Sequence, residues 1–149
     1  MEKVKVVCSN IIEKENKFLL VKETKEIAKG KYNFPSGTLE DNEDIIQGSI
    51  REAKEETGFD VVPKKIVGIF QRPNKKEGNN ITIFVFKSEI TAGKLTNSEV
   101  HPEVKFFSVE EIRNLESKQL LRSPYMVPAL EKYLNGNFHD ISVLKIMWD

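Results

Sequence analysis

The sequence predicts a single α/β domain in which a β-sheet packs against helices. Runs rich in β-branched residues recur along the whole chain, and helical patterns separate them. No internal repeat, low-complexity tract or linker divides the 149 residues, a length that can bury a substantial core. We therefore expect one domain over residues 1–149.

Strands are predicted where β-branched and aromatic residues cluster, and turns where Gly, Pro and Asn interrupt them. The predicted extended segments are residues 4–12, 18–21, 61–62, 65–70, 81–86 and 104–107. A turn at residues 14–16 joins the first two strands. Residues 72–80 contain Pro73, Gly78 and paired asparagines, a composition that predicts a loop.

A central helix is predicted to begin after Asp41 or Asn42, either of which can cap it, and to end at Gly58. Its apolar face should pack on the sheet and leave its acidic residues at a rim. That face consists of Ile46, Ile50, Ala53 and Thr57. Gly48 inside the helix costs roughly 1 kcal/mol relative to alanine, which suggests that another segment approaches closely there.

Two shorter helices are predicted near the C-terminus. Ser108 and Glu111 form a capping-box pattern for a helix that reaches about Leu115, and a last helix covers residues 124–134. The apolar segment 141–148 is predicted to be either a terminal strand or a tail that docks on the core.

Composition excludes several classes of protein. Lys and Arg number 23 and Asp and Glu number 23, so no net field attracts nucleic acid or an anionic membrane. Cys8 is the only cysteine, which rules out an internal disulfide, and its β-rich surroundings predict a buried core residue. No segment has the length and hydrophobicity of a membrane span or the pattern of a signal peptide, so we expect a soluble cytoplasmic protein. His101 and His139 are isolated and are interpreted as surface or structural residues.

Acidic residues are concentrated at the end of the central helix. The stretch from Gly37 to Gly58 reads G-x5-E-x7-R-E-x-x-E-E-x-G. On a helix Glu52 and Glu56 lie one turn apart with Glu55 beside them, and their repulsion calls for a counter-charge such as Mg²⁺ or Mn²⁺. A solvated acidic helix face is the alternative for these glutamates taken alone. Seven specified residues at specified spacing, however, occur by chance on the order of 10⁻⁸ times per start position.

This pattern matches the Nudix box at every charged and glycine position. The matching residues are Gly37, Glu43, Arg51, Glu52, Glu55, Glu56 and Gly58. Ala53 stands where the family prefers a larger aliphatic residue. Residues 30–37 resemble the family's G-x-W-x-x-P-G-G segment, with Tyr32 for Trp and Ser36 for the first Gly of the pair, and residues 104–112 resemble its closing strand and helix. The resemblance implies a Nudix α/β/α sandwich with a mixed sheet. It also implies metal-dependent hydrolysis of a nucleoside diphosphate linked to another group.

The resemblance also implies roles for individual residues. Glu52, Glu55 and Glu56 would hold Mg²⁺ or Mn²⁺, with the carbonyl of Gly37 as a further ligand, and Glu52 would orient or deprotonate the attacking water. Arg51 would pair with a carboxylate, for which Glu43 is the expected partner, and the same ion pair would form without catalysis. Gly58 and Glu43 are structural members of the motif. Outside it, Glu99 and Glu103 are candidates for an additional acid and Arg72 for a phosphate contact, each with an ordinary surface position as the alternative.

The substrate is left open by the sequence. Pro73 resembles the ADP-ribose and nucleotide-sugar branch of the family, whereas the short chain equally suits enzymes for nucleoside triphosphates, including oxidised ones. A nucleotide-sensing Nudix domain without turnover is the alternative function, although such domains usually lose acids that this chain retains. Aromatic residues able either to stack on a base or to pack in the core are Tyr32, Phe34, Phe70 and Phe84. A small-molecule nucleotide is the expected partner of a monomer or homodimer.

Overall fold

Two β-sheets carry the fold. The computed structural model describes residues 3–25, 28–74, 78–97 and 103–147. The strands are β1 (Lys3–Ile11), β2 (Glu13–Lys14), β3 (Lys17–Lys22), β4 (Tyr32–Asn33), β5 (Ser36–Thr38), β6 (Phe59–Asn74), β7 (Asn79–Gly93), β8 (Val104–Phe107) and β9 (His139–Asp140). The helices are α1 (Ile45–Thr57), α2 (Val109–Ser117) and α3 (Met126–Leu134).

The larger sheet is mixed, as predicted. Its strand order is β5-β1-β7-β6-β9, with β1 parallel to β7 and antiparallel to β5. The smaller sheet has the order β2-β3-β4, and β8 pairs with β3. Short β5 lies at the outer edge of β1, which brings its backbone next to α1.

Helices cover both faces of the larger sheet. Val85 belongs to a core that includes residues of α3, whereas the next residue, Phe86, packs with Ile45 of α1. Successive side chains of a strand point to opposite faces, so α1 and α3 lie on opposite sides of β7. The predicted α/β sandwich is confirmed. Within the described ranges no helix has the length and hydrophobicity needed to cross a membrane.

The predicted loop at residues 72–80 is wrong at both of its ends, and residues 75–77 lie outside the described part of the chain. Strands β6 and β7 form a long antiparallel hairpin in which Arg72 pairs with Ile81 and Pro73 with Asn80. Strand β9 pairs only with Lys65 and Ile66 of β6, so β6 has an open edge at Pro73 in the described part of the chain. A proline without an N–H group is tolerated at such an edge, which is why turn-forming residues do not end this strand.

Helix α1 begins later than predicted. Asp44 is the N-cap, and its carboxylate accepts hydrogen bonds of 2.9 Å from the N–H groups of both Ile46 and Gln47. The side-chain oxygen of Gln47 accepts a hydrogen bond from the Asp44 N–H, and this contact completes a capping box. Asp41 and Asn42 have no such box. The predicted end is correct, because Gly58 has the left-handed φ of 84° and donates its N–H to the Lys54 carbonyl.

The buried face of helix α1 differs from the one that its apolar pattern predicted. Ala53 and Thr57 are buried as expected, but Ile46 and Ile50 are only partly buried, whereas Glu56 is buried rather than at the rim. The buried face is rotated because the edge strand β5, as well as β1 and β6, lies against the helix. The close approach expected at Gly48 is present: a Cβ there would lie 2.9 Å from Sγ of the fully buried Cys8.

The C-terminal elements follow the sequence closely. Ser108 and Glu111 form the predicted capping box of α2, and α3 ends at Leu134. Ile141 and Leu144 pack against the core beneath α1, so this segment is a docked tail that contains a 3₁₀ turn at Ile141–Val143. Residues 148 and 149 lie outside the described part of the chain.

Candidate active site

All three box glutamates face one cleft. Glu52, Glu55 and Glu56 line a cavity of about 580 Å³ whose other wall includes Ser36 and Gly37 of β5. The remaining lining residues are Glu23, Lys25, Thr38, Leu39 and Glu40. Helical spacing brings the glutamates to one side of α1, and the pairing of β5 with β1 places the backbone of β5 opposite them.

Glu56 is the most deeply buried of the three. Its side chain is only 8% exposed, and Oε1 accepts a 2.7 Å hydrogen bond from the backbone N–H of Ser36. Ser36 Oγ donates to the Phe34 carbonyl at 2.9 Å and accepts from Asn33 Nδ2 at 3.1 Å. These bonds fix the backbone that binds Glu56, so the serine supports the turn in which the family pattern has glycine.

Gly37 leaves room for the carboxylate of Glu52. A Cβ at position 37 would overlap both carboxylate oxygens and Cδ of Glu52, so any side chain there would displace that group. Burial raises the pKa of the Glu52 carboxyl, while its hydrogen bond from Arg51 acts in the opposite direction. The motif thus needs glycine at position 37 because the carboxylate of Glu52 lies directly against the backbone there.

Arg51 supplies a positive charge to the acidic cluster. Its Nε and Nη2 donate to the two carboxylate oxygens of Glu43 at 3.0 and 2.7 Å, and Nη1 donates to Glu52 at 2.8 Å and Glu55 at 3.2 Å. Nη2 also donates to the Thr38 carbonyl at 3.2 Å. The hydrogen bond from Arg51 lowers the pKa of Glu43, and the same contact raises the pKa of the guanidinium. A bidentate pair of this kind is among the stronger polar contacts in proteins.

The donor set suits a hard divalent cation, although the side chains are not gathered for one. Within the described ranges, no three His, Cys, Asp or Glu side chains are close enough together to hold a metal ion. Glu52 and Glu55 instead bind Arg51, and Glu56 binds the N–H of Ser36. Carboxylate and carbonyl oxygens are nevertheless the ligands that Mg²⁺ and Mn²⁺ prefer. Metal binding would therefore require Glu52 and Glu55 to turn away from Arg51.

The two described residues that were predicted outside the box, Arg72 and Glu103, lie in different places. Arg72 lines a second cavity of about 500 Å³ that adjoins the first. Glu103 is on neither cavity wall; it forms ion pairs with Lys22 at 3.5 Å and Lys105 at 3.2 Å. Burial acts to raise the pKa of Glu103, but hydrogen bonds from Lys105 and the Tyr32 hydroxyl outweigh it and lower the pKa. Glu99 and His101 lie outside the described residues.

The four aromatic residues singled out from the sequence belong to the core. Tyr32 and Phe34 are buried, and Phe70 and Phe84 pack partly buried against core clusters. None of the four lines either cavity in the described structure. Core packing is thus what the structure shows for them.

Several residues of the second cavity were not identified from the sequence. Tyr125 is buried and shares a 2.8 Å hydrogen bond with Ser9 Oγ, and burial raises its pKa to about 12. Its hydroxyl also donates to Asn33 at 3.3 Å. Arg122 lies on the cavity wall in the segment that precedes α3. These residues belong to no recognisable motif, so only the folded chain brings them together.

Comparison with known families decides the assignment. The family model described as NUDIX domain matches residues 1–130, which include the whole box. The chain belongs to the Nudix family. This membership confirms the resemblance inferred from the box, and the residues outside the match are those after 130.

Individual relatives of this Nudix protein match it over most of its length. An ADP-ribose pyrophosphatase from Methanocaldococcus jannaschii is 31% identical over 110 residues, which cover 74% of this chain. The match spans 65% of that relative, just under two thirds of its length. Phosphatase NudJ from Escherichia coli is 27% identical over 146 residues, 97% of this chain and 92% of that protein. A solved structure of a Nudix hydrolase from Nitrosomonas europaea superposes with a TM-score of 0.85 at 28% identity, covering 99% of this chain and 98% of that one.

Proposed function

We propose that this Nudix protein is a metal-dependent hydrolase that cleaves the pyrophosphate bond of a nucleoside diphosphate linked to a further group. The observation that carries the proposal is that Glu52, Glu55 and Glu56 share one cleft with the backbone of Gly37. Relatives named ADP-ribose pyrophosphatase and phosphatase NudJ support the same class of reaction.

A divalent cation bound in this cleft would neutralise phosphate oxygens and lower the pKa of a bound water. The three box glutamates and the Gly37 carbonyl would hold it. Glu56 is suited to this role because the Ser36 N–H fixes its orientation before the metal arrives. Glu52 would orient or deprotonate the attacking water, since its partly buried carboxylate faces the same cleft as the other box acids.

Arg51 would act as a positioning residue. Its bidentate pair with Glu43 leaves the guanidinium anchored when Glu52 and Glu55 turn toward a metal ion. Arg72 would contact a phosphate oxygen from the wall of the second cavity.

The alternative is a nucleotide-sensing domain without turnover. The observation that favours it is the contact of Glu52 and Glu55 with Arg51, which compensates part of their charge without any metal. The complete set of box acids favours the hydrolase, because a sensor has no need of all three.

The test is a substrate panel with Mg²⁺ or Mn²⁺. The panel contains ADP-ribose, a nucleotide sugar, nucleoside triphosphates and their oxidised forms, and the products identify which P–O bond breaks. Glu56→Gln should lower turnover by at least about 10²-fold, because it removes a carboxylate that would hold the metal ion. Glu116→Gln, an exposed glutamate of α2, is the matched control and should behave as wild type.

If Glu56→Gln kept the turnover of the wild type, Glu56 would have no role in the mechanism. Tight nucleotide binding with no hydrolysis under either metal would favour the sensing domain instead.

A further inference from the structure

Two adjoining cavities of this molecule carry opposite charge. The cleft of the box is lined by five carboxylates and one lysine. The second cavity is lined by four cations, Lys5, Lys25, Arg72 and Arg122, and by a single carboxylate, Glu23. The two spaces share a wall, so one ligand can extend through both; the residues common to them are Glu23, Lys25, Ser36, Gly37 and Thr38.

The cations of the second cavity have no acidic partner within the described residues. No ion pair of the described chain involves the side chains of Lys5, Lys25, Arg72 or Arg122. Elsewhere on the surface lysines do find carboxylates, as Lys54 does with Asp60 at 3.3 Å. Four like charges around one cavity repel each other, and a bound anion would relieve that repulsion.

The rest of the second cavity offers little to a nucleobase. Tyr125 is the single aromatic residue on the described wall, and its ring is buried between Phe34 and Phe70. Its hydroxyl is already bonded to Ser9 and Asn33. The described wall thus has no exposed aromatic face on which a base could stack, whereas its two arginines are suited to bind an anion.

We propose that the second cavity binds a phosphate that the substrate carries beyond the anhydride to be cleaved, with Arg72 and Arg122 as its contacts. This inference rests on the proposed hydrolase and narrows its substrate class. Arg72 projects from the β6–β7 hairpin and Arg122 from the segment before α3, so the anion is held from two separate elements. The phosphate is either the terminal group of a nucleoside triphosphate or a monoester on the sugar.

Matched pairs of substrates separate these two sources. ATP is compared with ADP, and ADP-ribose 2′-phosphate with ADP-ribose, using kcat/KM at a single ionic strength. The wild-type protein should prefer the member with the extra phosphate in at least one pair by about tenfold, as expected for one charged hydrogen bond. The pair that shows the preference identifies the source.

Arg72→Gln and Arg122→Gln should each reduce that preference by about tenfold, mainly through KM, because a charged hydrogen bond to the extra phosphate is lost. Arg113→Gln, an exposed arginine of α2 outside the second cavity, is the matched control and should keep the wild-type ratio. An absent preference, or one that neither cavity variant alters, would overturn the inference while leaving hydrolysis itself intact.

Binding of inorganic pyrophosphate to the metal-free protein provides a readout that does not need turnover. Without metal, the carboxylates of the box repel this ligand, so calorimetry reports the basic cavity. Binding should weaken about tenfold in Arg122→Gln and stay unchanged in Arg113→Gln. Weaker pyrophosphate binding by Arg122→Gln, in a protein that hydrolyses no substrate, would support the anion site and refute the hydrolase. Equal binding by the wild type, Arg122→Gln and Arg113→Gln would refute the anion site.

Discussion

Replacing Gly37 with alanine should disable the site through the displacement of one carboxylate. The backbone of Gly37 is in strand β5 without a positive φ, so alanine fits its conformation. The new Cβ, however, would overlap the carboxylate of Glu52. To reach ordinary van der Waals separation that group must stay about 1 Å farther from the backbone of Gly37, whose carbonyl would share the metal with it, and a misplacement of this size costs roughly 10²-fold in rate.

The same displacement should also weaken the fold slightly. Moving Glu52 breaks its 2.8 Å hydrogen bond with Arg51 Nη1, a partly exposed contact worth about 1 kcal/mol. The assays are kcat on the preferred nucleotide and the free energy of unfolding in urea. Gly68→Ala is the control, since its Cβ would meet the side-chain ring of Phe70, which is not in the carboxylate cleft. A Gly37→Ala protein with wild-type kcat would refute the assignment of Glu52 to the chemistry.

Two further predictions concern stability and reactivity. Glu43→Gln should lower the free energy of unfolding at neutral pH by about 1.5–3 kcal/mol, because Arg51 loses its bidentate partner. The pKa of Glu43 is lower in the native than in the unfolded state, so its contribution to the free energy of unfolding is present above the unfolded pKa and disappears as pH falls. In urea titrations the stabilities of the two proteins should therefore converge in acid. A difference in stability that stays constant with pH would contradict this linkage. Cys8 is fully buried with its pKa raised to about 12 by burial, so a thiol reagent should label it only after unfolding; rapid labelling of the native protein would disprove this.

Features that depend on neighbours in sequence were predictable. The end of α1 at Gly58 and the capping box at Ser108 both follow from local hydrogen bonds. The start of α1 was also within reach of the sequence, because Gln47 stands three residues after Asp44 and completes its capping box. The hairpin at Arg72 and Pro73 was not, since cross-strand pairing with β7 overrides the local preference for a turn.

The order of the residues alone therefore determined the family, the fold class and the identity of the acidic motif, since the spacing of Glu52, Glu55 and Glu56 along one helix is a local property. Only the tertiary structure decided that Glu56 is buried against the N–H of Ser36 and that Glu52 lies over Gly37. It likewise brought Arg72 and Arg122 to one cavity. Contacts between segments so far apart depend on how the sheet and helices pack, which no local pattern encodes.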